Sequence, residues 1–260
     1  MITHKEALGA LFAALHERAA DNLLHSASEE YLHGSCDRWA MAITELSRSP
    51  ERGRILDIGA FDGIFCSALI KLGYPVAAVD RAQSFEESWW QRLGIEWRLC
   101  HIEADPIPYP DETFTGVYMG QVLEHITYSP REPLLEVLRV LKPGGFLVVD
   151  VPNVGELHNF YRLIRGKNVL YDYKTHYIDY EPEIYKGRHY FERHNREFTP
   201  GELRILAETC GFQVIRTRYI RSRRHAKKGL RRLEVPFTAL RDLVPLFRKS
   251  IMLTAQKPAE

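Results

Sequence analysis

Apolar positions recur along the chain in two rhythms. Leu8, Leu11, Phe12 and Leu15 return at helical spacing and predict an amphipathic helix over residues 4–24. A second helix is predicted over 35–48, and the polar residues 51–53 close this helical stretch. Short apolar runs then alternate with helical patterns. They predict strands over 54–58, 76–79, 97–101, 114–119 and 146–151, with helices over 65–71 and 133–141. A helix over 202–210 and strands over 212–219 and 250–256 complete the series. Strands separated by helices imply right-handed crossovers. The expected fold is α/β, doubly wound around a mostly parallel seven-stranded sheet.

Two stretches break the rhythm. Residues 155–197 hold seven tyrosines (161, 171, 173, 177, 180, 185 and 190) and four histidines (158, 176, 189 and 194), and read as an inserted lid over the strand ends. Residues 221–249 are first basic, then amphipathic. The expected organisation is an N-terminal helical segment, 1–50, and one domain, 51–260, carrying both insertions.

Composition narrows the classes. A length of 260 residues suits one α/β domain with embellishments, and 45% hydrophobic with 27% charged residues is ordinary for a globular chain. A net charge of +1 gives no whole-chain attraction to nucleic acid or membrane, so any such pull is local. Cys36, Cys66, Cys100 and Cys210 form no C-x-x-C pair, which argues against a zinc ribbon or a disulfide scaffold and makes a reducing cytoplasm the expected compartment. The first twenty residues are interrupted by charges and lack a signal-peptide core.

The run Arg54-Ile55-Leu56-Asp57-Ile58-Gly59-Ala60-Phe61-Asp62-Gly63 reads as strand, glycine turn and helix start. Such a turn lies at the carboxyl edge of the sheet, where open α/β folds bind ligands. Phe61 stands where the dinucleotide fingerprint wants its second glycine, and its ring would crowd a diphosphate. Asp57 would repel phosphates but suits an ammonium group. Asp80 ends the next strand about 20 residues past the glycines, where a carboxylate can bind a ribose diol.

From Ile55 to Asn153 the chain resembles the class I, Rossmann-like S-adenosylmethionine-dependent methyltransferases. "ILDIGAFDG" and "VAAVD" are similar to the first two motifs of that family, and "PLLEVLRVLKPGGFLVVDVPN" to its fifth-strand region. The common first motif has glycine where Phe61 stands. The resemblance implies S-adenosyl-L-methionine as cofactor, bound by Asp57, Gly59, Ala60, Phe61, Gly63, Asp80 and Arg81. It also implies that His101, Ile102 and Glu103 read the adenine, and that Gln121 lies near the sulfonium or the cofactor carboxylate.

Glu124-His125 directly follows the fourth strand. Arg193-His194-Asn195-Arg196-Glu197-Phe198-Thr199 resembles a segment of methyltransferases acting on sugars and polysaccharide precursors, and also of small-RNA 2′-O-methyltransferases. In the RNA group an E-x-x-E-H motif and a later histidine hold magnesium. Glu124, His125 and His194 match three of those positions, while Gln121 replaces the first glutamate and removes a charge. The catalytic set is therefore His125, Glu124 and His194, with His125 as a metal-free general base or all three as ligands of Mg²⁺ or another divalent metal. His176 and His189 read as lid histidines. Thr199-Pro200-Gly201-Glu202 has the form of a helix cap.

The expected activity is O-methylation of a sugar hydroxyl in a glycan, nucleotide sugar or glycosylated metabolite that carries phosphate or lipid. RNA 2′-O-methylation, small-molecule N- or C-methylation and a non-enzymatic cofactor-binding subunit are the alternatives. Arg221, Arg223, Arg224, Lys227, Lys228, Arg231 and Arg232 form a basic run without an acid, followed by Phe237, Leu240, Leu243, Val244, Leu246 and Phe247. This segment suits phosphate contact, peripheral membrane contact or a homodimer face.

Overall fold

The computed structural model describes residues 1–20, 29–82, 87–170, 172–221, 241 and 243–259. In chain order the elements are α1 (His4–Ala20), α2 (Glu29–Leu46), β1 (Ile55–Ile58), α3 (Ile64–Lys71), β2 (Val76–Asp80), α4 (Glu87–Arg92) and β3 (Glu96–Leu99). They continue with β4 (Phe114–Gly120), α5 (Arg131–Val140), β5 (Leu141–Pro152), α6 (Leu157–Ile164), β6 (Glu183–Tyr185), β7 (Arg188–Tyr190), α7 (Pro200–Thr209), β8 (Gln213–Ile220) and β9 (Ser250–Gln256).

Seven strands form one sheet in the order β3-β2-β1-β4-β5-β9-β8. The first five run parallel, and β9 runs antiparallel to both β5 and β8. This is the doubly wound, mostly parallel sheet expected from the alternating pattern. Side chains alternate across it. Ile55, Val76, Ala78, Tyr118 and Val148 join α1, α2 and α3 in one core, and Leu56, Ile58, Val117, Met119 and Leu147 join α5 and α7 in the other. The helices of the 1–50 stretch thus share a core with the sheet.

Several expected bounds shift. The N-terminal helix is described to Ala20, and the second one starts earlier, at Glu29. The third strand stops at Leu99, because the His101 N–H turns to the Asp105 carboxylate at 3.0 Å. The cap at Thr199 is as expected: its hydroxyl accepts the Glu202 N–H and the Glu202 carboxylate accepts the Thr199 N–H. Helix α4 lies in a stretch given no element, and helix α6 and the β6–β7 hairpin lie within the expected lid insertion. Of the basic-amphipathic run, residues 222–240 and 242 lie outside the described residues. The four cysteines are free and buried. Among the described residues no helix is long and apolar enough to cross a membrane.

Candidate active site

The strand order reverses between β1 and β4, and ligands of open α/β sheets bind at the carboxyl ends of such strands. A cleft of about 240 Å³ opens there. Its lining includes Gly59, Phe61, Asp80, Arg81, His101, Ile102, Glu103, Gln121 and His125. Nine expected site residues therefore meet in one cavity.

The glycine turn shapes one wall. Gly59 has φ 76°, and a Cβ there would lie 2.5 Å from Cγ2 of Val122, another cleft residue. Phe61 adopts φ 45° although it is not glycine, a strain of about 1–2 kcal/mol. Its N–H donates to Oδ2 of Asp80 at 2.9 Å, and the Ala82 N–H reaches Oδ1 at 3.4 Å. These donors hold the carboxylate at the cleft while burial raises its pKa above the ordinary value.

Gln121 is the second strained residue of the cleft, with φ 57°. Its N–H donates to the Asp150 carbonyl at 2.8 Å and its Nε2 to the Asp150 carboxylate at 2.9 Å. Arg38 of α2 donates to the same fully buried carboxylate at 2.8 Å, as does the Tyr118 hydroxyl. Backbone strain persists where surrounding bonds over-determine it, and it clusters at functional sites.

Three expected contacts lie elsewhere. Asp57, Ala60 and Gly63 do not line the cleft. Asp57 is buried beneath the turn, where it accepts the Cys66 thiol at 3.1 Å and burial pushes its pKa up to about 7. The expected carboxylate for an ammonium group thus lies beneath the turn rather than in the cleft lining. Gly63 caps α3 with φ 74°, and Ala60 is buried. Glu103 lines the cleft, but its Oε2 accepts the N–H groups of Thr127 and Tyr128 at 2.8 and 2.9 Å, so it also braces the loop after β4.

The 155–197 insertion supplies residues that sequence spacing did not single out: Tyr190, Phe191 and Glu192 complete the lining. The hairpin is fastened to the strand ends. Arg81 pairs with Glu183 at 3.1 Å and with Glu192 at 2.8 Å, and Asp105 accepts the Tyr185 hydroxyl at 3.0 Å. The His101 ring stacks on Tyr185 at 5.0 Å and lies 4.1 Å from the Tyr190 ring. Both His101 ring nitrogens are buried with no hydrogen-bond partner among the described residues.

Of the expected catalytic set His125 lines the cleft, while Glu124 and His194 sit beside it outside the lining. Glu124 and His125 sit in the 3-10 turn Leu123–His125. The Glu124 carbonyl accepts the Asn195 N–H at 2.7 Å, and Asn195 Nδ2 donates to the His125 carbonyl at 2.9 Å, which draws the His194 segment in. One ligand-capable atom from each of Glu124, His125 and His194 lies within 4.8 Å of the others. Glu124 is fully buried, neither carboxylate oxygen has a partner among the described residues, and burial pushes its pKa up to about 8. His125 lies 4.9 Å from the His194 ring; burial, then the neighbouring His194, lowers its pKa to about 4. His125 Nδ1 is 3.1 Å from the Arg193 carbonyl. A carbonyl only accepts, so Nδ1 carries the proton and Nε2 keeps its lone pair.

Fold and cleft together define a Rossmann-like nucleoside-binding α/β enzyme. The residues fit S-adenosylmethionine: a held carboxylate for the ribose, unpaired imidazole nitrogens for the base, and a turn whose first glycine leaves room that a Cβ would fill. The chain belongs to the methyltransferase-domain family, whose model matches residues 29–217. It is a class I S-adenosylmethionine-dependent methyltransferase. It is 34% identical over 118 residues to a demethylmenaquinone methyltransferase of Clavibacter sepedonicus, covering 45% of this chain and 48% of that protein. It is 27% identical over 173 residues to a ubiquinone biosynthesis O-methyltransferase of Dinoroseobacter shibae, covering 65% of this chain and 64% of the relative. The chain thus spans about half to under two thirds of the length of these curated relatives. In fold it resembles the 1,6-didemethyltoxoflavin-N1-methyltransferase of Burkholderia thailandensis, with TM-score 0.55, 16% identity and coverage of 99% of this chain and 92% of the other. The sugar-pathway likeness of the 193–199 segment finds no support in these relatives, whose names belong to quinone biosynthesis.

Proposed function

We propose that this methyltransferase acts on a hydroxyl of a planar, largely apolar acceptor of the quinol kind, with His125 as the base. The observation that carries the reading is the state of His125. It is neutral, held through Nδ1 by the Arg193 carbonyl, and its free Nε2 lone pair belongs to a residue of the cleft wall. Bound S-adenosylmethionine supplies a methyl group on a positively charged sulfur, which needs no further activation. The chain's own work is alignment, exclusion of water and removal of the acceptor proton. Alignment can be worth about 7–11 kcal/mol. Asp80 and His101 orient the nucleoside, Phe61, Tyr190 and Phe191 give the acceptor apolar and aromatic surface, and Nε2 takes the proton. Relatives named for quinone methylation support the acceptor class.

A second reading of the same wall is favoured by the unpaired Glu124 carboxylate. Glu124, His125 and His194 would hold a divalent metal that lowers the pKa of the acceptor hydroxyl.

The test offers labelled S-adenosylmethionine with a soluble catechol, a nucleotide sugar and an RNA duplex, with and without magnesium. The expected result is catechol O-methylation that needs no magnesium and is lost in His125→Ala. Labelling of the sugar or RNA alone, or full activity in His125→Ala, overturns the reading. Strict metal dependence selects the second one.

A further inference from the structure

Helix α6 exposes most of its apolar residues. Leu157 and the polar Asn159 are buried, at 6% and 3% exposed, while Phe160, Leu163 and Ile164 are 52%, 56% and 71% exposed. On a helical wheel Phe160, Tyr161, Leu163 and Ile164 share one face, and that face looks outward. A soluble helix normally does the reverse. The face is extended by a second element: the Phe160 ring lies 6.3 Å from that of Phe247, near parallel to it, in the 3-10 turn Pro245–Phe247. Nearby, Leu243 and Leu246 are 77% and 50% exposed. Asn153 fixes this turn by donating to the carbonyls of Leu246 and Arg248, both at 2.7 Å.

The patch has a sign of charge around it. Arg165, Lys167 and Lys249 are exposed beside it in sequence. The sequence also has seven cations and no acid over residues 221–232, of which 222–232 lie outside the described residues. An apolar face flanked by cations matches a lipid surface with anionic headgroups, because one term supplies burial and the other attraction.

The patch also adjoins the active site. Buried Asn159 donates to Glu197 at 2.6 Å, and Glu197 lies 3.7 Å from His194, whose ring contacts that of His125. Asn159, the chain neighbour of Phe160, thus ties α6 through Glu197 to the His194 and His125 rings.

We propose that the outward face of α6, together with the turn Pro245–Phe247, docks on an anionic lipid bilayer and sets the cleft at the membrane surface. Its use, access to a membrane-dissolved quinol, rests on the acceptor reading above; the docking itself is tested without it.

The experiment is flotation of the full chain with vesicles of phosphatidylcholine alone and of equal parts phosphatidylcholine and phosphatidylglycerol. Binding to the mixed vesicles is expected to exceed binding to phosphatidylcholine by about tenfold and to weaken with salt. The double variant Leu163→Glu/Ile164→Glu should bind about tenfold less, keeping its unfolding temperature and its soluble-catechol activity. Because both residues are exposed, that variant separates docking from folding. Absence of binding by the unaltered chain, equal binding by the variant, or a dimer that the variant abolishes without any vesicle binding each overturns the proposal. Vesicle binding without methylation of any hydroxyl leaves docking standing and removes the acceptor reading; catechol methylation without vesicle binding does the opposite.

Discussion

Asp80 lines the cleft and Glu124 is buried beside the cleft residue His125, and the surroundings of the two carboxylates differ. Asp80 receives N–H groups from Phe61 and Ala82. Glu124 is fully buried, and neither of its oxygens has a partner among the described residues. The first carboxylate is held as a finished binding group. The second costs the fold stability, and buried polar groups left unpaired call for a functional explanation. The side of the cleft carrying Asp80, the nucleoside wall of the proposed reading, is thus held in advance, whereas the side carrying His125, the histidine wall, has an unpaired carboxylate behind it.

The largest effect that sharpens this contrast is on the histidine wall. His125→Ala should lower kcat by about 10²–10⁴-fold, the usual worth of a general base, while S-adenosylhomocysteine binding measured by calorimetry stays unchanged. Weakened nucleoside binding in that variant would erase the division between the walls. Next comes Asp80→Ala, which removes a charged hydrogen-bond acceptor and should weaken S-adenosylhomocysteine about 10–100-fold. An unaltered affinity would show that the ribose lies elsewhere.

A smaller effect falls on stability. Burial raises Glu124 from 4.5 to about 8, so the folded chain keeps a proton that the unfolded chain releases. The stability linked to that proton is full below about pH 4.5 and is lost as pH rises through about 8. Glu124→Gln mimics the protonated form, so its melting temperature should exceed that of the unaltered chain by several degrees at pH 9 and by little at pH 5. Added magnesium or manganese reversing that order would assign the carboxylate to a metal. Least in size is the effect of His125 itself. Its pKa falls from 6.5 to about 4, so the associated stability is present above about 6.5 and is lost as pH drops toward 4. Turnover should stay flat from pH 8 down to about 5; a loss centred near 6.5 would mean an exposed, ordinary imidazole.

The sheet was legible chiefly because its central strands β1, β2, β4 and β5 carry short buried apolar runs between helical or polar stretches. Asp80 and the glycine turn were legible for the same local reason: strand end, glycine and carboxylate adjoin in sequence. The orientation of Asp57 was not legible, because position before the turn says nothing about which way its side chain points, and it points under the turn to Cys66. Tyr190, Phe191 and Glu192 were not legible as lining. Their place depends on the β6–β7 hairpin, whose turn uses Lys186-Gly187 at φ 48° and 74° rather than the asparagine-glycine pair that signals such turns. Glu183, and Glu192 of the lining, are both tied to Arg81, a long-range pairing that no local spacing encodes. The outward face of α6 escaped notice for a related reason, since amphipathic spacing does not tell which face meets solvent.

The two-wall account is tested most directly by a crystal structure with S-adenosylhomocysteine. The account predicts the ribose hydroxyls on Asp80, the base beside His101, and the sulfur turned toward the wall that holds His125. A nucleoside bound away from Asp80, or a sulfur facing away from His125, would contradict it.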